Sequence, residues 1–161
     1  MNIRQTADEA DYAACARIMC QSEPWLTLQR DFEACMGAFG GDFREVYVAK
    51  SEDGTLKGFV VLQMQGTFRG YLQTIAVAPD ARGTGLGTAL LHFAEDRIFR
   101  VSPNVFLCVS DFNTGALRLY ERMGYERIGE IPDFLVSGRA EMLLRKTISP
   151  LTDFRPHQET A

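Results

Sequence analysis

Apolar positions along this chain switch between strand-like and helix-like spacing, and the switches mark its elements. Met1 to Gln5 reads as a strand, and Thr6-Ala7-Asp8-Glu9 has the T-x-x-E form of a capping box opening a helix through about Cys20. Glu23-Pro24-Trp25 breaks that helix. Leu28, Phe32, Cys35, Met36 and Phe39 then recur with helical period, and Gly40-Gly41 ends this second helix. Val46–Lys50 and Lys57–Met64 are β-rich runs joined across the Asp53-Gly54 turn, and Phe68–Val77 adds a strand after Gln65-Gly66. Leu86, Leu90, Ala94 and Ile98 stand at steps of four, the buried line of a helix over 85–99. Val105–Val109 is an apolar strand of the kind covered on both faces. Asn113 caps a further helix whose inward line is Ala116, Leu119, Tyr120 and Met123, with Gly124 at C′. Arg127–Gly129 and Glu141–Lys146 are the last strands, joined through 132–138. The order is β-α-α-β-β-β-α-β-α-β-β, an α/β layout with a mixed sheet. Residues 1–148 form one domain, and 149–161 form a polar, proline-bearing tail that is loose or docked on a partner.

Composition narrows the classes. A chain of 161 residues with 46% hydrophobic content suits one core. A net charge of −4 without a basic run argues against nucleic acid as partner and suits a cationic or amine acceptor. Cys15, Cys20, Cys35 and Cys108 form no C-x-x-C pair and the two histidines are not clustered, so reduced thiols are expected and no metal site. Asn2 and Arg4 flank Ile3 ahead of an acidic stretch that lacks a signal-peptide core, and no apolar run approaches a bilayer span. A soluble, cytoplasmic protein without a membrane partner is the expectation.

The candidate chemistry begins at Arg82-Gly83-Thr84-Gly85-Leu86-Gly87, between an apolar strand and a helix. Glycine permits positive φ and close approach of a ligand, and the first turn of a helix leaves N–H groups unpaired beside a partial positive charge. Together these make an anion cradle. No lysine follows a glycine, which excludes a P-loop. Thr88 and Leu90 stand where a dinucleotide fingerprint needs glycine or alanine. By periodicity, Tyr120 is a core aromatic and Asn113 a helix cap.

Arg82, Gly85 and Gly87 do fill the [Q/R]-x-x-G-x-[G/A] pattern of the acetyl-CoA loop of the GNAT N-acetyltransferase superfamily, and Ile75-Ala76-Val77-Ala78-Pro79 resembles the strand end before that loop. Asn113, Ala116, Leu119-Tyr120 and Gly124-Tyr125 resemble the family's second block at matching distances. The likeness runs from about Met1 to Lys146.

It implies a mostly antiparallel sheet of about seven strands with about four helices, in which strands four and five splay around the thioester of acetyl-CoA. It also implies that the backbone of Ile75, Ala76 and Val77 lies along the pantetheine and acetyl group. Arg82 and the amides of Gly83, Thr84, Gly85, Leu86, Gly87 and Thr88 would hold the pyrophosphate, Asn113 would contact the cofactor, and Tyr120 would be the general acid. The implied reaction is direct acetyl transfer to a primary amine of a small molecule or protein. A non-catalytic acyl-CoA-binding module is the alternative on the same fold, and a homodimer is an assembly this fold often forms.

No general base is implied. Cys108 stands where acetyltransferases of ribosomal-protein N-termini commonly carry glutamate, and it reads as a small buried hydrophobe rather than a nucleophile. Glu23 and Asp133 are loop carboxylates expected beside the acceptor mouth, with Trp25 near them.

Overall fold

The structure, a computed structural model, describes residues 2–157. Its strands are β1 (Asn2–Thr6), β2 (Arg44–Lys50), β3 (Leu56–Gln63), β4 (Tyr71–Val77), β5 (Asn104–Ser110), β6 (Glu126–Pro132) and β7 (Ala140–Thr147). Its helices are α1 (Glu9–Cys20), α2 (Phe32–Met36), α3 (Leu86–Phe99) and α4 (Thr114–Arg122), in the expected chain order. One seven-stranded sheet runs β1-β2-β3-β4-β5-β7-β6.

Val46, Val48 and the run from Phe59 to Leu62 are all buried because both faces of the central strands are covered. Phe59 meets Phe39, which stacks on Tyr12 of α1, while a side chain at the neighbouring Gly58 would meet Leu86 and Leu90 of α3. Consecutive residues of β3 thus face opposite layers, as the pleat requires. The line Leu86, Leu90, Ala94 and Ile98 is buried as its period predicts.

Several boundaries differ from the sequence reading. The first helix is capped by Asp8, which accepts from Ala10 N at 2.9 Å. Thr6 instead stays in β1 opposite Val46 and donates its hydroxyl to Asp11 at 2.8 Å. Asp11 is buried, and Lys50 at 2.6 Å satisfies its charge. The second helix is much shorter than its apolar stripe. Gln29 takes φ 51° and Asp31 accepts from Ala34 N at 2.9 Å, so α2 starts at Phe32 and leaves Leu28 in a turn. The fourth strand begins at Tyr71 rather than Phe68, and the sixth extends to Pro132.

The described part of the tail turns back on its own chain. Ile148 N donates to Pro103 O at 3.0 Å and His157 N to Arg100 O at 2.9 Å, over the C-terminal end of α3. Residues 158–161 lie outside the described part. Apart from a half-buried Phe154, residues 151–157 are exposed. Truncation after Ser149 is therefore expected to leave the fold intact and to lower Tm by no more than about 4 °C, the equivalent of roughly 1 kcal/mol at this size. Thermal unfolding followed by circular dichroism checks this, and a larger fall would make the tail part of the core.

Candidate active site

The sheet is antiparallel everywhere except between β4 and β5, and that parallel contact is a single residue pair, Tyr71 with Phe106. At its closed end Phe106 N donates to Gly70 O at 3.1 Å. A Cβ on Gly70 would lie 2.4 Å from Ile98 and 2.5 Å from Asn104 O, so only glycine allows the strands this close. Beyond the pair they part. On its other edge β4 carries a bulge opposite Val61/Leu62 that skips Gln73 in the register, and bulges bend the strand that carries them. Ile75, Ala76 and Val77 pair with Val60, Phe59 and Gly58, while their β5-facing edge has no ladder partner. The resemblance implied this parting of strands four and five.

A cleft of about 840 Å³ fills the parting. Among the expected site residues, Ile75, Ala76, Val77, Arg82, Gly83, Gly87, Asn113 and Tyr120 line it, whereas Thr84, Gly85, Leu86 and Thr88 do not. Leu86 turns its side chain into the core. Thr84 donates its hydroxyl to Ala81 O at 2.7 Å, closing the turn. Gly83 and Gly85 take φ of 74° and 86°, and a Cβ at either would meet nothing within 4 Å. Glycine is thus required there by the left-handed backbone, and the space above the loop is open. Gly85 is the N-cap of α3 and offers no side chain to the first-turn amides of Leu86, Gly87 and Thr88, which keep their donors free. Open space, free amides and a helix N-terminus fit a phosphate-bearing cofactor. Arg82 serves the loop differently: its Nη2 donates to Ser22 Oγ at 2.7 Å and its Nε to Val77 O at 3.4 Å, tying loop, strand and the end of α1 together.

Asn113 caps α4 by accepting from Ala116 N at 3.4 Å while also lining the cleft, so cap and cleft residue are one. On the same helix Tyr120 is 5% exposed, its ring edge-on to Tyr125 at 5.6 Å. Burial pushes its phenol above the ordinary range, which keeps the proton on oxygen at neutral pH.

Opposite α4 the cleft has an acceptor-side wall. Trp25 and Leu28 enter it from the α1–α2 connection, with Phe134 and Leu135 from the β6–β7 hairpin. Glu23 lines it too, its Oε2 accepting from Thr27 N at 3.2 Å. Asp133 does not: at φ 54° it accepts from Gly138 N at 2.6 Å and closes the hairpin. Cys108 is half-buried and lines the cleft, as does Tyr71. Burial, with Glu141 nearby, pushes its thiol up. His92 lies away on α3, 3.6 Å from Glu95.

Tyr71 and Glu141 escaped the sequence reading. Glu141 is 6% exposed on β7, lines the cleft, and accepts a short hydrogen bond from Ser110, its register partner on β5. Burial raises its carboxyl, the Ser110 bond lowers it and Asp111 raises it further, for a net rise. The signal was an acid inside the apolar run Ala140-Glu141-Met142-Leu143-Leu144, but only the pairing of β5 with β7 brings it to the cleft.

The same fold recurs in known proteins. The ribosomal-protein-S18-alanine N-acetyltransferase of Escherichia coli superposes with a TM-score of 0.75 at 20% identity, over 92% of this chain and 94% of that one. An aminoglycoside 6'-N-acetyltransferase solved with coenzyme A gives 0.73 at 17% identity, over 97% and 99%. In sequence, an uncharacterised N-acetyltransferase of Methanocaldococcus jannaschii is 33% identical over 102 residues, 62% of this chain and 64% of its own length, so the chain spans under two thirds of that relative. The acetyltransferase (GNAT) family profile matches residues 10–125, which hold the parted strands, the glycine loop and α4, and this chain therefore belongs to the GNAT family.

Proposed function

We propose that this protein transfers the acetyl group of acetyl-CoA directly to a primary amine, with donor and acceptor bound together in the cleft. The observation that carries the reading is the convergence, in one cavity, of Gly83 and Gly87 of the glycine loop, the unpaired edge of β4 and Tyr120. Acetyl-CoA supplies an activated thioester. The amides of Gly83 to Thr88 hold its pyrophosphate, Asn113 contacts it, and the free edge at Ile75, Ala76 and Val77 runs along its pantetheine arm. An N–H on that edge stabilises negative charge on the carbonyl oxygen, a role whose loss typically costs about 3 kcal/mol. Tyr120 gives its proton to the departing sulfur, whose own basicity rises in the same desolvated groove.

Titration of the protein with acetyl-CoA in a calorimeter, followed by CoA release with a panel of amines and short peptides, tests the proposal. Saturable binding with amine-dependent release is expected. Binding without release from any amine would leave a non-catalytic acyl-CoA module.

Transfer without a covalent enzyme intermediate makes Cys108 dispensable. A thiol pushed up by burial and lacking an imidazole partner is a poor nucleophile at neutral pH. Cys108→Ala is expected to keep kcat within about threefold of wild type, and initial-rate plots against the two substrates to intersect. Parallel plots with an acetylated Cys108 in mass spectra would reverse this.

A further inference from the structure

We propose that Glu141 receives the acceptor as a primary ammonium on an apolar carrier and takes its proton before attack, which rests on the acetyl-transfer reading above. A carboxylate 6% exposed, within the apolar run Ala140–Leu144 of β7, needs a reason to be there. Among the described residues Glu141 has no ion pair, and its one hydrogen bond, from the Ser110 hydroxyl, leaves it able to accept another. A buried carboxylate without a cation is the complement of an ammonium arriving through the cleft it lines.

Its surroundings agree. From β5 it is faced by Ser110 and Cys108, and from the strand's end by Asp111, whose Oδ1 lies 3.3 Å from Arg139. From β4 it is faced by Tyr71. Glu23 and Arg122 line the same cleft from the α1–α2 connection and from α4. Tyr71 and Cys108 are both held neutral by burial, and Asp111 adds negative potential. Burial above all, helped by Asp111 and opposed by the Ser110 bond, holds the carboxyl above the ordinary glutamate range, nearer the basicity a proton acceptor needs at neutral pH. Beside Glu23 the acceptor-side wall is mostly apolar, with Trp25 half-buried and Phe134 and Leu135 exposed at 57% and 44%, which suits a largely apolar carrier beside the nitrogen.

The protons balance. The Glu141 carboxylate takes one proton from R–NH3+, leaving the amine lone pair free to form the N–C bond to the acetyl carbon. As the C–S bond breaks, the sulfur takes the Tyr120 proton, and the phenolate recovers one from the nitrogen, giving the neutral amide. Glu141 returns its proton to solvent through the cleft. Net, R–NH3+ and the thioester give amide, thiol and one H+.

Two nucleophiles separate this role from a structural one: hexylamine, an ammonium of lysine-like basicity at pH 7, and hydroxylamine, which is largely neutral there. Glu141→Gln keeps an acceptor for the Ser110 hydroxyl and so preserves the pair. With hexylamine the variant is expected to lose about 10²-fold in kcat/KM together with the acidic limb of the pH profile, and to stay within about threefold of wild type with hydroxylamine. Calorimetric titration of the protein with hexylamine at pH 7, without acetyl-CoA, should weaken at least tenfold in the variant.

Equal loss with both nucleophiles, no loss with either, or hexylamine binding that is absent in wild type or unchanged in the variant would overturn the role of Glu141. Wild-type protein that binds hexylamine through Glu141 and binds acetyl-CoA, yet acetylates neither nucleophile, would instead overturn the transfer reading and leave the ammonium site standing.

Discussion

Gly85→Glu is expected to abolish acetyl-CoA binding in a protein that still folds. Gly85 takes φ 86°, so any side chain there carries a strain of about 1–2 kcal/mol, but its Cβ would meet nothing within 4 Å and causes no clash. The added carboxylate sits beside the free first-turn amides of Leu86, Gly87 and Thr88, where the proposed pyrophosphate would bind. Two negative charges about 4 Å apart at an effective dielectric near 20 repel by about 4 kcal/mol, nearly a thousandfold in affinity. Repulsion therefore outweighs strain. Gly85→Ala separates them, since it carries the strain without the charge and should bind acetyl-CoA within about tenfold of wild type. Calorimetry and a melting curve on both variants provide the check. A folded Gly85→Glu protein with unchanged affinity would remove the loop from the cofactor site.

Tyr120→Phe is expected to lower kcat by about 10- to 1,000-fold with acetyl-CoA affinity nearly intact. The substitution keeps the ring and its edge-on contact with Tyr125, so packing changes little. Only the proton is lost. Burial raises the Tyr120 phenol, so the protonated form persists through neutral pH, and any alkaline limb that it controls lies above the ordinary phenol range. In Tyr120→Phe that limb should vanish. An unchanged kcat, with the chemical step shown to be rate-limiting, would return Tyr120 to the core aromatic that its helical period suggests.

What was legible in the sequence is what depends on neighbours along the chain. Gly83 and Gly85, the Asn113 cap and the Gly124 C′ position are local backbone requirements, and the spacing carries them directly. The four-residue step of α3 is likewise a property of one helix. The capping box misled because Thr6 was already committed to pairing with Val46, leaving Asp8 as the nearer cap. The stripe from Leu28 to Phe39 misled because the backbone turns at Gln29, whatever the apolar period says. Asp133 looked like a mouth carboxylate and is a hairpin clasp. Glu141 and Tyr71 needed the third dimension: one is brought to Ser110 by pairing across thirty residues of chain, the other to Cys108 by the single parallel contact of the sheet.

We propose that the acetyl donor lies between the parted strands with its phosphates on the glycine loop. A crystal structure of the protein with acetyl-CoA tests it most directly. Pyrophosphate oxygens are expected on the amides between Gly83 and Thr88, the pantetheine arm along Ile75 to Val77, and the thioester sulfur within hydrogen-bonding distance of the Tyr120 hydroxyl. Acetyl-CoA bound with its pyrophosphate away from that loop, or with its sulfur out of reach of Tyr120, would contradict it.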